Sequence, residues 1–125
     1  MFKKLFDRIK AVFGKKRPWQ PEDDYIITLT GEYISVINPK GITETVHWAD
    51  VHTILLLTTD QGPFEPDIWF VLIGTQGKCV FPQGAPKSDE AYDHISQFEG
   101  FDFEVFIKAM SITHNEEHVL WKRTG

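Results

Sequence analysis

Ile54-Leu55-Leu56-Leu57 and Ile68-Trp69-Phe70-Val71-Leu72-Ile73 are unbroken apolar runs of strand length. Successive side chains of a strand point to opposite faces, so a half-wet strand alternates polar and apolar residues. A run without alternation belongs where both faces of a sheet are covered. These two strands are expected at the sheet centre, with helices or a second sheet above and below.

N-terminal to them the period is closer to two. Residues 25–29 and 32–38 read as strands on either side of Gly31, rich in Ile, Val, Thr and Tyr. Asn38-Pro39-Lys40-Gly41 reads as a turn, with Pro39 presetting φ and Gly41 taking an unusual backbone conformation. Ile42, Val46 and Trp48 then alternate with Thr43, Thr45 and His47, which predicts a third strand with one wet face. Glu44 interrupts its apolar side, as expected near an edge.

On the C-terminal side, Gly74-Thr75-Gln76-Gly77 turns the chain into a sixth strand over 78–81 that Pro82 ends. The hairpin order predicts an antiparallel meander. Ser88 is placed to cap a helix whose inner face is Ala91, Tyr92, Ile95 and Phe98 and which ends at Gly100. Asp102 is placed to cap a second helix, with Phe101 and Phe106 as a hydrophobic staple. Phe103, Phe106, Ile107 and Met110 are expected to pack on the sheet. Residues 118–121 close the chain as a strand. The fold class is α+β: a curved antiparallel sheet or partly open barrel of about seven strands, with two helices in the C-terminal half and an N-terminal amphipathic helix.

Charge divides the chain. Residues 1–17 hold seven Lys or Arg against Asp7 alone, a net +6, whereas the remainder holds six basic and seventeen acidic residues, a net −11. In the tail, Phe2, Leu5, Phe6, Ile9, Val12 and Phe13 fall within an arc of about 120° at helical spacing. Lys3, Lys4, Arg8, Lys10, Lys15 and Arg17 lie outside that arc. Gly14, Pro18 and Pro21 stop the helix. The domain division is thus a basic amphipathic helix over 1–17, a Pro-containing acidic linker over 18–24 and an α+β domain over 25–125. A basic helix with aromatic residues on one face suits an anionic membrane surface, through Phe2, Lys3, Lys4, Leu5, Phe6, Ile9, Lys10 and Phe13. The same stripe suits docking on the protein's own body or in a partner's groove. Four large apolar residues on one face exceed what phosphate contact needs, and the body is acidic, so no nucleic-acid partner is expected.

No stretch approaches the roughly 20 apolar residues of a membrane span. Neither an unbroken apolar signal core nor a Ser- and Arg-rich transit segment is evident. Cys79 is the only cysteine, which points to a reducing, cytoplasmic setting and, with the tail, to peripheral attachment at the inner membrane face.

Three groups invite a chemical role. His114-Asn115-Glu116-Glu117-His118 spells the H-x-x-E-H of inverted zinc peptidases, giving His114, Glu117 and His118 as a metal-dependent hydrolase alternative. A polar turn is the better account, because the segment begins where a helix ends and runs into a strand. His47, Asp50 and His52 surround Trp48, but strand alternation points them apart. Cys79 lacks a neighbouring base and is expected to be structural. No metal, cofactor or catalytic residue is expected. The loop Thr59-Asp60-Gln61-Gly62-Pro63-Phe64-Glu65-Pro66-Asp67 joins the two most apolar strands and carries an aromatic anchor among acids. That combination suits recognition of a basic protein through Asp60, Phe64, Glu65 and Asp67.

The step Trp48-Ala49-Asp50-Val51 after a third strand, followed by a long apolar strand, resembles bacterial pleckstrin-homology-like domains. Two helices in place of one, and a strand after them, depart from that pattern. Thr58 to Pro63, Gly100 to Glu104 with Ala109-Met110, and Trp121-Lys122-Arg123 are similar to small uncharacterised proteobacterial proteins, over most of 25–123. The resemblance implies a shared fold and brings no known activity.

These observations point to a non-enzymatic protein-binding module that meets a basic partner, as immunity proteins of basic toxin nucleases do, and is tethered at the inner membrane surface. The alternatives are the small hydrolase and a soluble homodimer with the N-terminal helix in its interface.

Overall fold

The computed structural model describes residues 21–60, 68–112 and 114–124. The amphipathic tail over 1–17 and the loop residues Phe64, Glu65 and Asp67 lie outside them. Among the described residues, seven strands form two antiparallel sheets, neither closed into a barrel, and two helices complete an α+β fold. No described helix is long and apolar enough to cross a membrane.

A 3-10 turn, Pro21–Asp24, leads into β1 (Ile26–Leu29), β2 (Tyr33–Ile37) and β3 (Thr43–His47), a three-stranded meander. Its turns are tied by side chains. The Thr30 hydroxyl accepts the N–H groups of Glu32 and Tyr33 at 3.1 and 3.0 Å. The Asn38 carbonyl oxygen Oδ1 accepts those of Lys40 and Ile42 at 2.9 and 3.0 Å. Gly41 takes φ +83°, which an L side chain adopts only with strain. Thr43, Thr45 and His47 form the expected wet face of β3, while Val46 is buried. Ile42 precedes the strand and is exposed.

The 3-10 turn Trp48–Asp50 then switches the chain into the second sheet. This sheet is built from β4 (Val51–Thr58), β5 (Ile68–Gly74), β6 (Lys78–Pro82) and β7 (Glu116–Lys122), in the order β6-β5-β4-β7. The two apolar runs are its central pair, as expected. The expected single meander is instead two meanders, with β7 returning to the far side of β4.

Registers separate the faces of the four-stranded sheet. Ile54, Leu72 and Cys79 form one inner row and Leu56, Phe70 and Phe81 the next, and all six are buried. Above them lie α1 (Ser88–Ile95) and α2 (Phe103–Ala109), with the Phe70 ring 6.4 Å from that of Tyr92 and 6.2 Å from that of Phe106. Ile34, Val36 and Val46 of the other sheet complete the same core.

The helices differ from expectation in three respects. Ser88 does not cap α1: Lys87 holds the N-cap position with φ +70°, and the buried Ser88 hydroxyl donates instead to the carbonyl of Gln83. A donor pulled back onto the preceding turn is unavailable as a cap acceptor. The first helix stops at Ile95 rather than at Gly100, and Phe98 reaches the core from a turn that Gly100, at φ +92°, closes. Phe103 and Ile107 do not pack on the sheet. They remain 48 % and 51 % exposed, because the seven-residue α2 turns Val105, Phe106 and Ala109 inward. Asp102 caps that helix as predicted, accepting the Val105 N–H at 3.0 Å.

Candidate functional site

Of the loop acids singled out for a partner, the described Asp60 lies where β4 ends and β7 begins. Thr58 is paired with Glu116 in the ladder, so Asp60 and the turn before β7 lie side by side. The buried Thr58 hydroxyl donates to the carbonyl of His114 at 2.8 Å, and the Asp60 N–H donates to Asn115 Oδ1 at 3.3 Å. The first residue of the acidic loop is thereby clasped to a second acidic segment. Glu116 Oε2 lies 3.4 Å from His114 Nε2 and 3.7 Å from the mostly buried His118 Nε2. Asp60 and Glu116 thus lie near one end of the sheet, with two imidazoles flanking Glu116, while Glu117, one residue on, takes the opposite face with Leu57.

Separation in sequence hid this arrangement. Glu116 and Glu117 read as polar turn residues, and β7 begins two residues before the strand expected at 118. The signal was present in the length of β4, since an eight-residue strand reaches its loop beside whatever pairs with its last turn. Of the loop residues singled out for a partner, Asp60 is placed here; Phe64, Glu65 and Asp67 lie outside the described residues.

The metal-like groups resolve into structural roles. His114, Glu117 and His118 lie on a turn and a strand, not on one helix. Glu117 shares a ladder position with Leu57 while His118 shares one with Leu56, so the two side chains take opposite faces. Among the described residues, no three His, Cys, Asp or Glu groups are placed to hold a metal ion. His47 and Asp50 line one hollow, but with His52 they form no group placed to hold an ion. Asp50 accepts from the Thr75 hydroxyl and, at 3.1 Å, from the Gln76 N–H, which together hold its carboxyl below the ordinary range. It therefore ties the 3-10 turn to the β5–β6 hairpin. A Cβ on Gly74 would lie 2.5 Å from Asp50 Oδ2, so glycine is needed for that approach. An open hollow of about 350 Å³ beside it is lined by Thr45, His47, Asp50 and Gln76, but the Asp50 oxygens that would face a ligand are already engaged.

Cys79 is fully buried and its thiol donates to the Glu44 carbonyl at 3.2 Å. Burial, with the Glu44 charge adding to it, pushes the thiol up to about 12, far from nucleophilic thiolate chemistry. Trp121-Lys122-Arg123 is also architectural. Trp121 Nε1 donates to the Glu99 carbonyl at 2.8 Å, and the Arg123 guanidinium donates to the carbonyls of Ala49 and Val51 at 2.9 and 2.6 Å. No family model, curated protein or solved structure matches the chain.

Proposed function

We propose that this chain is a non-enzymatic binding module whose acidic end meets a basic protein partner, and whose basic amphipathic tail holds it against an anionic membrane surface, peripherally at the inner membrane. The observation that carries the reading is the Asp60–Asn115 hydrogen bond, because it fixes the start of the acidic loop beside the Glu116 end of β7. Carboxylates on a fixed frame steer a basic surface and fix its orientation with little ordering cost. The loop acids Glu65 and Asp67 extend the same charge in sequence, and Phe64 supplies the apolar anchor. The +6 tail contributes attraction to anionic lipid of roughly 1 kcal/mol per basic residue close to the surface. An immunity-like role toward a basic toxin is one concrete form of this function.

Affinity purification of the full chain, compared with an Asp60→Lys/Glu65→Lys/Asp67→Lys variant, tests the partner site. The variant is expected to lose a salt-sensitive basic protein while keeping its melting temperature. Equal capture by both chains would reject the site.

A further inference from the structure

The outer face of the four-stranded sheet is apolar, and no described helix or second sheet packs on it. Val119, Leu55, Val71 and Val80 form one row across all four strands, and Glu117, Leu57, Trp69 and Pro82 form the next. Both helices and the three-stranded sheet pack on the opposite face, through Phe70, Leu72 and Phe81. Leu55, Leu57, Ile73 and Val80 are half-buried, Val71 at the centre of the row is buried, and Val119 is 50 % exposed. Contiguous apolar patches of this kind mark contact surfaces, since monomers seldom leave them to water.

The chain's own course names the occupant. The Tyr25 ring meets the Trp69 ring edge-on at 6.0 Å, so the polypeptide enters the domain beside this face. Immediately upstream are the linker and the amphipathic segment. A helix over residues 2–13 would be about 18 Å long, against about 14 Å for the three strand spacings of the row. Residues 14–20 span up to roughly 23 Å when extended, enough to lay that helix along the sheet. Its +6 charge also opposes the −11 body, with Glu117 on the rim. We propose that this outer sheet face is the docking site for the apolar stripe Phe2, Leu5, Phe6, Ile9 and Phe13 of the same chain. The proposal rests on the amphipathic tail that the tethering reading also uses, and adds that membrane and sheet compete for it.

A benzophenone side chain placed at Val119 of the full chain, with a second preparation carrying it at Ile42 as control, tests this. On photolysis of mixed heavy- and light-isotope protein, Val119 is expected to join peptides from residues 1–17 of its own chain. Ile42, exposed on the turn between β2 and β3, is expected not to. Phe6→Ser/Phe13→Ser is expected to reduce the Val119 product several-fold, and phosphatidylserine vesicles are expected to do the same. Absence of the product, a product joining heavy to light chains, or equal yield from the serine variant would overturn docking. Pelleting with vesicles in the absence of any product would leave the tether standing without the dock. A product that persists with vesicles, with no pelleting, would leave the dock and remove the tether.

Discussion

Trp48 joins the β1–β2 turn to α1. Its indole N–H donates to the Thr30 carbonyl at 2.8 Å, its backbone N–H to that of Glu32 at 2.9 Å, and its ring stacks on His94 at 3.9 Å. The stack half-buries the imidazole, and desolvation lowers the His94 pKa from its ordinary 6.5. A group that protonates less readily when folded contributes stability that is present above its unfolded value and lost as pH falls through the folded one. The full chain is therefore expected to lose unfolding free energy as pH drops below 6.5. His94→Phe keeps a ring on Trp48 but removes the titrating group. Urea unfolding of the two chains at several pH values is expected to show their stability difference shifting in favour of His94→Phe as pH falls. A difference that does not change with pH would refute the role assigned to His94.

At the scale of elements, what could be read in the sequence was local. Strand alternation placed Trp48 inside and His47 outside, and both positions hold. The Asp102 cap was equally legible, because a side chain three residues from the N–H it accepts needs nothing distant to complete it. Asp102→Ala is expected to cost about 1 kcal/mol in chemical denaturation, with Asp102→Asn recovering most of it. The errors arose where a distant partner decided the outcome. Ser88 had the chemistry of a cap, but the Gln83 carbonyl took its hydroxyl. Phe103 and Ile107 had helical spacing, but α2 is too short to bury three sides and faces the core with Phe106 and Ala109. The setting of Asp60 was hidden for the same reason, since only the β4–β7 pairing brings Asp60 to Asn115 across 55 positions.

Across the whole molecule, two open sheets form one core without a continuous ladder between them, and Glu44 supplies part of the join. Its carboxylate oxygen accepts the Val80 N–H at 3.0 Å, and its carbonyl accepts the Cys79 thiol, so β3 is fastened to the free edge of β6 by one residue. This explains an acid on the apolar side of a strand: an unpaired edge N–H is a cost that a carboxylate removes. Glu44→Leu would match the apolar neighbours yet leave the Val80 N–H without its acceptor, and is expected to destabilise the protein by about 1–3 kcal/mol. Glu44→Gln keeps an acceptor oxygen and is expected to retain most of that stability. Because the Glu44 charge also raises the Cys79 thiol, the Gln variant is expected to lower that pKa from about 12. Burial, the larger cause, remains, so alkylation of the native Gln variant by iodoacetamide is still expected to be slow. Equal unfolding curves for the Leu and Gln variants would show that the Glu44 side chain contributes nothing to the join. A lower midpoint for Leu than for Gln would assign the difference to this one hydrogen bond.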